Sequence, residues 1–262
     1  MSAITSLAST LVGGVNTIQS QINDVQTQLT TGIKDLNPAQ QGVVTRLSSQ
    51  VTGYQSVQTN ISQAQNVISV AQTGLSSATN IVQQMQNLAN QAATGTLSAT
   101  DLTNLQTTFA SLAAQLTSIS NNASVNGANL LNSATGITVQ TGLTATDTTT
   151  VAGVNLTTIA TTLAALNISS GAPAAITALN TALGSISSGQ SQLSASSVGL
   201  KSQASVAGSL ATNLQNTIDS IQKPDATALQ AQLQQLNNQQ SVDYYLINQM
   251  NTEAQAMLSI FR

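Results

Sequence analysis

The stretch ITSLASTLVGGVNTIQSQINDVQTQL, Ile4–Leu29, sets the plan of the chain. Its apolar stripe runs Ile4, Leu7, Leu11, Val15, Ile18, Ile22, Val25 and Leu29. The steps of three and four average roughly 3.5 residues, the repeat of a coiled-coil seam. Such spacing predicts a helix with one narrow apolar stripe and polar residues on its other sides. Gly32 and Pro38 then end the pattern, because one frees the backbone and the other clashes with a continuing helix. The far end of the chain answers the first helix. After a break at Lys223-Pro224-Asp225, a second seam carries Leu229, Leu233, Leu236, Gln240, Asp243, Ile247, Met250, Ala254, Met257 and Phe261.

Working inward, a longer stripe runs from Leu47 through Val57, Ile61, Ile68, Leu75, Val82 and Met85 to Ala92. A helix of this length ends at Ala92-Ala93-Thr94-Gly95, and Ser98-x-x-Asp101 has the spacing of a capping box that opens the next one. That third helix carries Leu102, Leu105, Phe109, Leu112, Leu116 and Ile119, and ends near Asn121-Asn122. From Asn126 to about Leu156 the helical period is lost. Glycines punctuate two short β-branched runs, Ile137-Thr138-Val139 and Thr148-Thr149-Thr150-Val151, which predicts one β-hairpin near 137–155. After Pro173 heptads resume from Leu179 to Ile221, with the polar residues Gln190 and Ser197 on the seam. The expected fold is mainly α: long antiparallel, coiled-coil-like helices form a terminal pair (residues 1–36 and 225–262), and an inner helical bundle with one small β-hairpin fills residues 37–224.

Composition narrows the function. Of 262 residues, 41% are hydrophobic but only 5% charged and 2% aromatic. Ser, Thr, Asn and Gln make up nearly half the chain, so the surface must be polar yet almost uncharged. With no His and no Cys, there is no imidazole base, no thiolate and no Cys/His metal set. The eight acids lie singly along the sequence, and no helix-local carboxylate pair is encoded. The expectation is therefore no enzyme, no cofactor and no metal. Five scattered Lys and Arg residues make no basic stripe for nucleic acid. No apolar run reaches the ~20 residues that span a bilayer. MSAITSLASTLVGGV has no basic residue before its apolar part, so export by a cleaved signal is not expected.

The terminal seams decide between a monomer and an assembly. Each buried Leu or Ile contributes ~1.5–3 kcal/mol, whereas ordering each residue costs ~1–2 kcal/mol. Two helices with one seam each are marginal alone, and copies packed around a common axis would cover what they leave open. The candidate self-assembly residues are Ile4, Leu7, Leu11, Val15, Ile18, Ile22, Val25, Leu29, Leu233, Leu236, Ile247, Met250, Met257 and Phe261.

Three segments carry a resemblance. NISQAQNVISVAQTGLSSATNIVQQMQNLANQAATGTLS (Asn60–Ser98) is similar to the first long inner helix of the bacterial flagellins. SISNNASVNGANLLN (Ser118–Asn132) resembles the family's lead into its hairpin, and AQAMLSIFR (Ala254–Arg262) its C-terminus. In this order, with the mirrored helix plan, they resemble a short flagellin without large outer variable domains. The resemblance implies a subunit that polymerises into the extracellular flagellar filament for swimming, exported by the flagellar type III apparatus. It also implies an export chaperone and hook-associated and cap proteins as partners. Two alternatives remain, a hook–filament junction protein and a secreted coiled-coil adhesin or translocator. The Ser/Thr-rich tip Thr144–Thr150 is a candidate for O-glycans. Two departures stand out. The linker Ile33–Gly42 lacks the family's Arg-containing turn and paired acids, and Gln84 and Asn87 replace an Arg and a Glu on the face read by the vertebrate flagellin receptor.

Overall fold

The computed structural model describes the backbone of residues 2–260 and the side chains of residues 6–256. Six helices and four short strands run in the order α1 (Ser2–Thr31), α2 (Pro38–Ala92), α3 (Ala99–Asn122), β1 (Ser124–Val125), β2 (Ala128–Asn129), β3 (Ile137–Gln140), β4 (Thr148–Val151), α4 (Leu156–Ala164), α5 (Ile168–Gln222) and α6 (Ala226–Ile260). The mainly helical reading is correct. Where one hairpin was expected there are two antiparallel strand pairs, β1–β2 and β3–β4. A short helix, α4, follows this region, between it and the heptads after Pro173, where the sequence reading placed no element.

The breaks between helices are capped by the chemistry their residues suggest. Gly32 follows α1 at φ +66°, the left-handed conformation that closes helices. Asn37 and Gln40 then cap α2 reciprocally. The Gln40 amide donates to Asn37 Oδ1 at 2.8 Å and the Asn37 amide to Gln40 Oε1 at 3.3 Å. Pro38 therefore opens a helix at the one position where its missing N–H costs nothing. Ser98 and Asp101 form the expected capping box at α3. Asp225 accepts from the Thr227 and Ala228 amides, placing a negative charge at the start of α6.

The chain divides into two units, one holding residues up to Ser48 and from Gln215 onward, the other Ser49–Leu214. The second unit has a continuous apolar core. The α2 stripe predicted at Ile61, Ala64, Ile68, Ala71, Leu75, Ala78, Val82, Met85 and Ala89 is buried. So are Phe109, Ala113 and Leu116 of α3, Leu156, Ala160 and Leu163 of α4, and Leu179, Ile186, Leu193 and Leu200 of α5. Helices α2 and α5 run antiparallel and are joined by uncharged side chains. Gln86 Nε2 donates to Asn180 Oδ1 at 2.7 Å, Gln72 Nε2 to Ser194 Oγ at 3.1 Å, and Gln58 Nε2 to the Ala204 carbonyl at 3.3 Å.

Amides and hydroxyls also hold the non-helical segment in place. The fully buried Ser120 hydroxyl donates to the Leu131 carbonyl at 2.8 Å and lies 2.7 Å from Thr157 Oγ1, linking α3 to α4. Asn129 Nδ2 donates to the Ser120 carbonyl, which α3 leaves free at its C-terminus, and Asn129 Oδ1 accepts from the Leu131 amide at 2.7 Å. Gln106 bridges the α4–α5 link, donating to the Leu166 carbonyl at 3.0 Å and accepting from the Ile168 amide at 2.8 Å.

Candidate assembly surface

Helices α1 and α6 pack antiparallel, and the register is read from polar contacts along them. The Lys34 amide donates to the Gln222 carbonyl at 2.7 Å at one end. Gln240 Nε2 donates to Gln19 Oε1 at 2.6 Å further along, and Gly14 faces the Asp243 carboxylate beyond it. Gln240, a half-buried polar residue on the seam, thus bonds across the pair to the exposed Gln19.

Within this frame the predicted seam residues are not equally covered. Ile22, Val25 and Leu236 form a buried cluster, with Ile18, Leu29, Leu229 and Leu233 packed against it. Val15 is buried as well. Leu11, Ile247 and Met250 are half-buried, while Leu7 is 54% exposed. Phe261 lies outside the described residues, and so do the side chains of Ile4 and Met257.

Along this pair α6 changes character. Opposite the covered half of α1 it offers Leu229, Leu233 and Leu236. Opposite Gln19 and Gly14 it continues through Gln240 and Asp243, polar residues that need hydrogen-bond partners. Beyond these, α6 is apolar on several sides at once. Val242, Tyr244, Tyr245 (67% exposed) and Leu246 all face solvent, next to the half-buried Ile247 and Met250. Apolar side chains thus ring this segment of α6 and stay open to water.

Elsewhere, Gln84 and Asn87 are exposed on α2, as a surface-reading partner would require. Among the described residues no helix is long and apolar enough to cross a membrane. The tip of the β3–β4 hairpin is closed by Asp147. Its carboxylate accepts from the Thr144 amide at 3.0 Å, and its carbonyl accepts from the Thr141 amide at 2.8 Å. Hydrogen bonds from the Thr144 amide, and secondarily from the Thr144 side chain, hold the Asp147 pKa below the ordinary aspartate value.

Comparison with known proteins places the chain in a family. A family model of the bacterial flagellin N-terminal helical region matches residues 5–135, half of the chain. The chain is also 25% identical over 262 residues to Flagellin FljO of Caulobacter vibrioides, covering 95% of this chain and 93% of the relative. The family match extends from the unequal seam of α1 through α2, α3 and the β1–β2 turn, and with it the chain belongs to the bacterial flagellin family, as a structural subunit of the flagellar filament.

Proposed function

We propose that residues 1–36 and 225–262 form the inner tube of the filament and residues 37–224 its outer tube. The observation that carries the reading is the incomplete closure of the α1–α6 pair. One half is sealed by Ile22, Val25 and Leu236, whereas Leu7 and the Val242–Leu246 segment stay open to solvent. Neighbouring subunits cover that open half. A head-to-tail contact of this kind repeats without closing and builds a helical polymer. The export apparatus, its chaperone and the hook-associated and cap proteins are partners by family membership, and the role is mechanical with no catalytic step.

Limited proteolysis tests the assignment. In dilute buffer both ends of the monomer are expected to be cut rapidly, because few apolar contacts hold them. After polymerisation into long hollow fibres, scored by electron microscopy, the same bonds are expected to be protected. Ends that resist digestion in the monomer, with no fibres formed, would overturn the reading. A few copies per flagellum confined to the hook boundary would instead make the protein a junction component.

Contacts built from apolar groups, amides and hydroxyls depend little on salt or pH. Asp147 follows the same direction. Because its pKa is depressed, its contribution is complete above the unfolded value of about 3.8 and is lost as pH falls from there through the lower folded value. Filaments are expected to remain sedimentable in acid, and depolymerisation between about pH 5 and pH 3 counts against this.

At Gln84 and Asn87 the family's charged anchors are missing, and charged hydrogen bonds are among the stronger contacts of an interface. Reporter cells carrying the vertebrate flagellin receptor are expected to respond weakly. The double change Gln84→Arg and Asn87→Glu should raise the response by about tenfold or more, the effect of one charge-assisted hydrogen bond. A wild-type response equal to that of an enterobacterial flagellin would refute the assignment.

A further inference from the structure

An asparagine keeps its side-chain amide only while no nearby nitrogen attacks it. The nitrogen best placed to do so is the backbone N–H of the next residue, and a helix withholds that group by bonding it to the carbonyl four residues back. Among the described residues, six asparagines lie outside helices, and four of them are held out of this reaction by their surroundings. Asn37 is followed by Pro38, which has no N–H. Asn155 and Asn167 hold their side-chain oxygens on the Thr158 and Ser169 amides, both at 2.9 Å. Asn129 Oδ1 accepts from the Leu131 and Asn132 amides, while its Nδ2 donates to the Ser120 and Asn121 carbonyls.

Asn126 and Asn132 remain. Both are exposed, and neither side chain has a hydrogen-bond partner among the described residues. The following residue separates them. Ser133 follows Asn132, whereas Gly127 follows Asn126, and no other asparagine of the chain precedes a glycine. Glycine has no Cβ to crowd an approach to its nitrogen. The space around Gly127 is open as well, since a Cβ there would meet nothing within 4 Å.

We propose that Asn126 is a site of spontaneous covalent modification in the folded protein, losing ammonia through a cyclic imide and ending as aspartate or isoaspartate. The Gly127 nitrogen gives up its proton and bonds to Asn126 Cγ. The Cγ–Nδ2 bond breaks, and Nδ2 leaves with that proton as ammonia. Water then opens the ring. Opening at Cγ restores the original main chain and leaves aspartate. Opening at the Asn126 main-chain carbonyl carbon leaves the chain running through Cβ and Cγ as isoaspartate. Water enters and ammonia leaves, with no change in oxidation state.

The fold leaves this site reactive. Strands β1 and β2 have two residues each, so the turn opens at the loss of few hydrogen bonds. The core beside it need not follow, because Leu130 and Leu131 are fully buried and Asn129 stays tied to the end of α3. Asn126 sits at φ +51°, a conformation that costs a residue with a Cβ, and opening relieves it. The product is a carboxylate, ionised at neutral pH. It appears on a groove whose lining, with Asn60, Gln63, Asn66 and Gln140, holds no charged side chain. Isoaspartate also lengthens a two-residue loop in which both positions need positive φ. The acid content at 126 thus rises with the age of each subunit. The proposal is independent of the filament reading.

Peptide mapping of the folded chain, aged at neutral pH, tests it. A protease that cuts before aspartate releases Asp101–Thr146 from the fresh protein, with Asn126 inside. Aspartate at 126 adds a cut, whereas isoaspartate leaves the peptide whole with the mass of the acid. Acid is expected at 126 ahead of Asn132 and every other asparagine, with a new, more acidic band on isoelectric focusing. Its rate in the folded chain is expected to lie within about tenfold of the rate in urea, as for a fraying turn. Asn126→Gln, which would have to close a larger and less favourable ring, is expected to lose the band. Protection by more than about tenfold in the folded chain would overturn the proposal. So would acid forming first at another asparagine, or an acidic band that persists in Asn126→Gln. Circular dichroism is followed throughout, and acid that forms only after helix is lost counts against the proposal.

Discussion

Leu236→Asp abolishes polymerisation at concentrations where the unmodified chain forms filaments, and leaves the Ser49–Leu214 unit folded. Leu236 is 6% exposed and shares its cluster with Ile22 and Val25. Removing a buried leucine side chain costs ~2–5 kcal/mol. Placing a carboxylate there adds several kcal/mol more, because no cationic side chain is part of the cluster to pair with it. The terminal pair has three buried apolar residues in this cluster and cannot absorb such a loss. At ~1.4 kcal/mol per factor of ten, the critical concentration should rise by about 100-fold or more. Circular dichroism and calorimetry should find the melting of the inner unit unchanged, since Leu236 takes no part in its core. Leu236→Met, which keeps volume and apolarity, is expected to cost less than ~1.5 kcal/mol and to preserve assembly. Normal filaments from Leu236→Asp would remove the α1–α6 seam from the mechanism.

Much of this was legible because one rule, a stripe every three or four residues, covers α1, α2, α3, α5 and α6. What escaped has short-range or tertiary causes. Helix α4 spans nine residues, too few for a persistent stripe, although Asn155 as a cap followed by Leu156, Ala160 and Leu163 carries the signal. The β1–β2 pair has two residues per strand, so no alternation can be seen, yet Asn126-Gly127 is the dipeptide that a two-residue hairpin requires. Both residues adopt positive φ, +51° and +81°. On the assembly seam, Leu7 and Ile22 both belong to the stripe of α1, yet Leu7 is exposed and Ile22 buried, a difference that spacing along one helix does not carry. Periodicity identifies the stripe. The partner determines how much of it closes.

The same limit applies to glycine, and two positions allow it to be measured. Gly127 and Gly136 both sit in the left-handed region, at φ +81° and +75°. In sequence Gly127 carries the Asn-Gly turn signal, whereas Gly136 is simply a glycine in a region without helical period. An alanine in this conformation costs ~1–2 kcal/mol wherever it occurs. Around Gly127 a Cβ would find open space. At Gly136 it would strike the Val151 carbonyl oxygen and lie 2.9 Å from both Ala152 Cα and the Gly153 nitrogen. All three are backbone atoms, so no side chain can rotate away. That backbone is itself pinned, because the Val154 and Leu156 amides donate to the Leu130 and Leu131 carbonyls at 2.6 and 2.8 Å. Forcing such a site apart adds ~1–3 kcal/mol. Gly136→Ala should therefore lose ~2–5 kcal/mol and lower the melting temperature of the inner unit by roughly 10 °C, against a few degrees for Gly127→Ala. Scanning calorimetry of the two monomeric variants separates the causes. Equal losses would mean that the left-handed backbone alone, rather than the β4 strand crossing beside it, keeps glycine at 136.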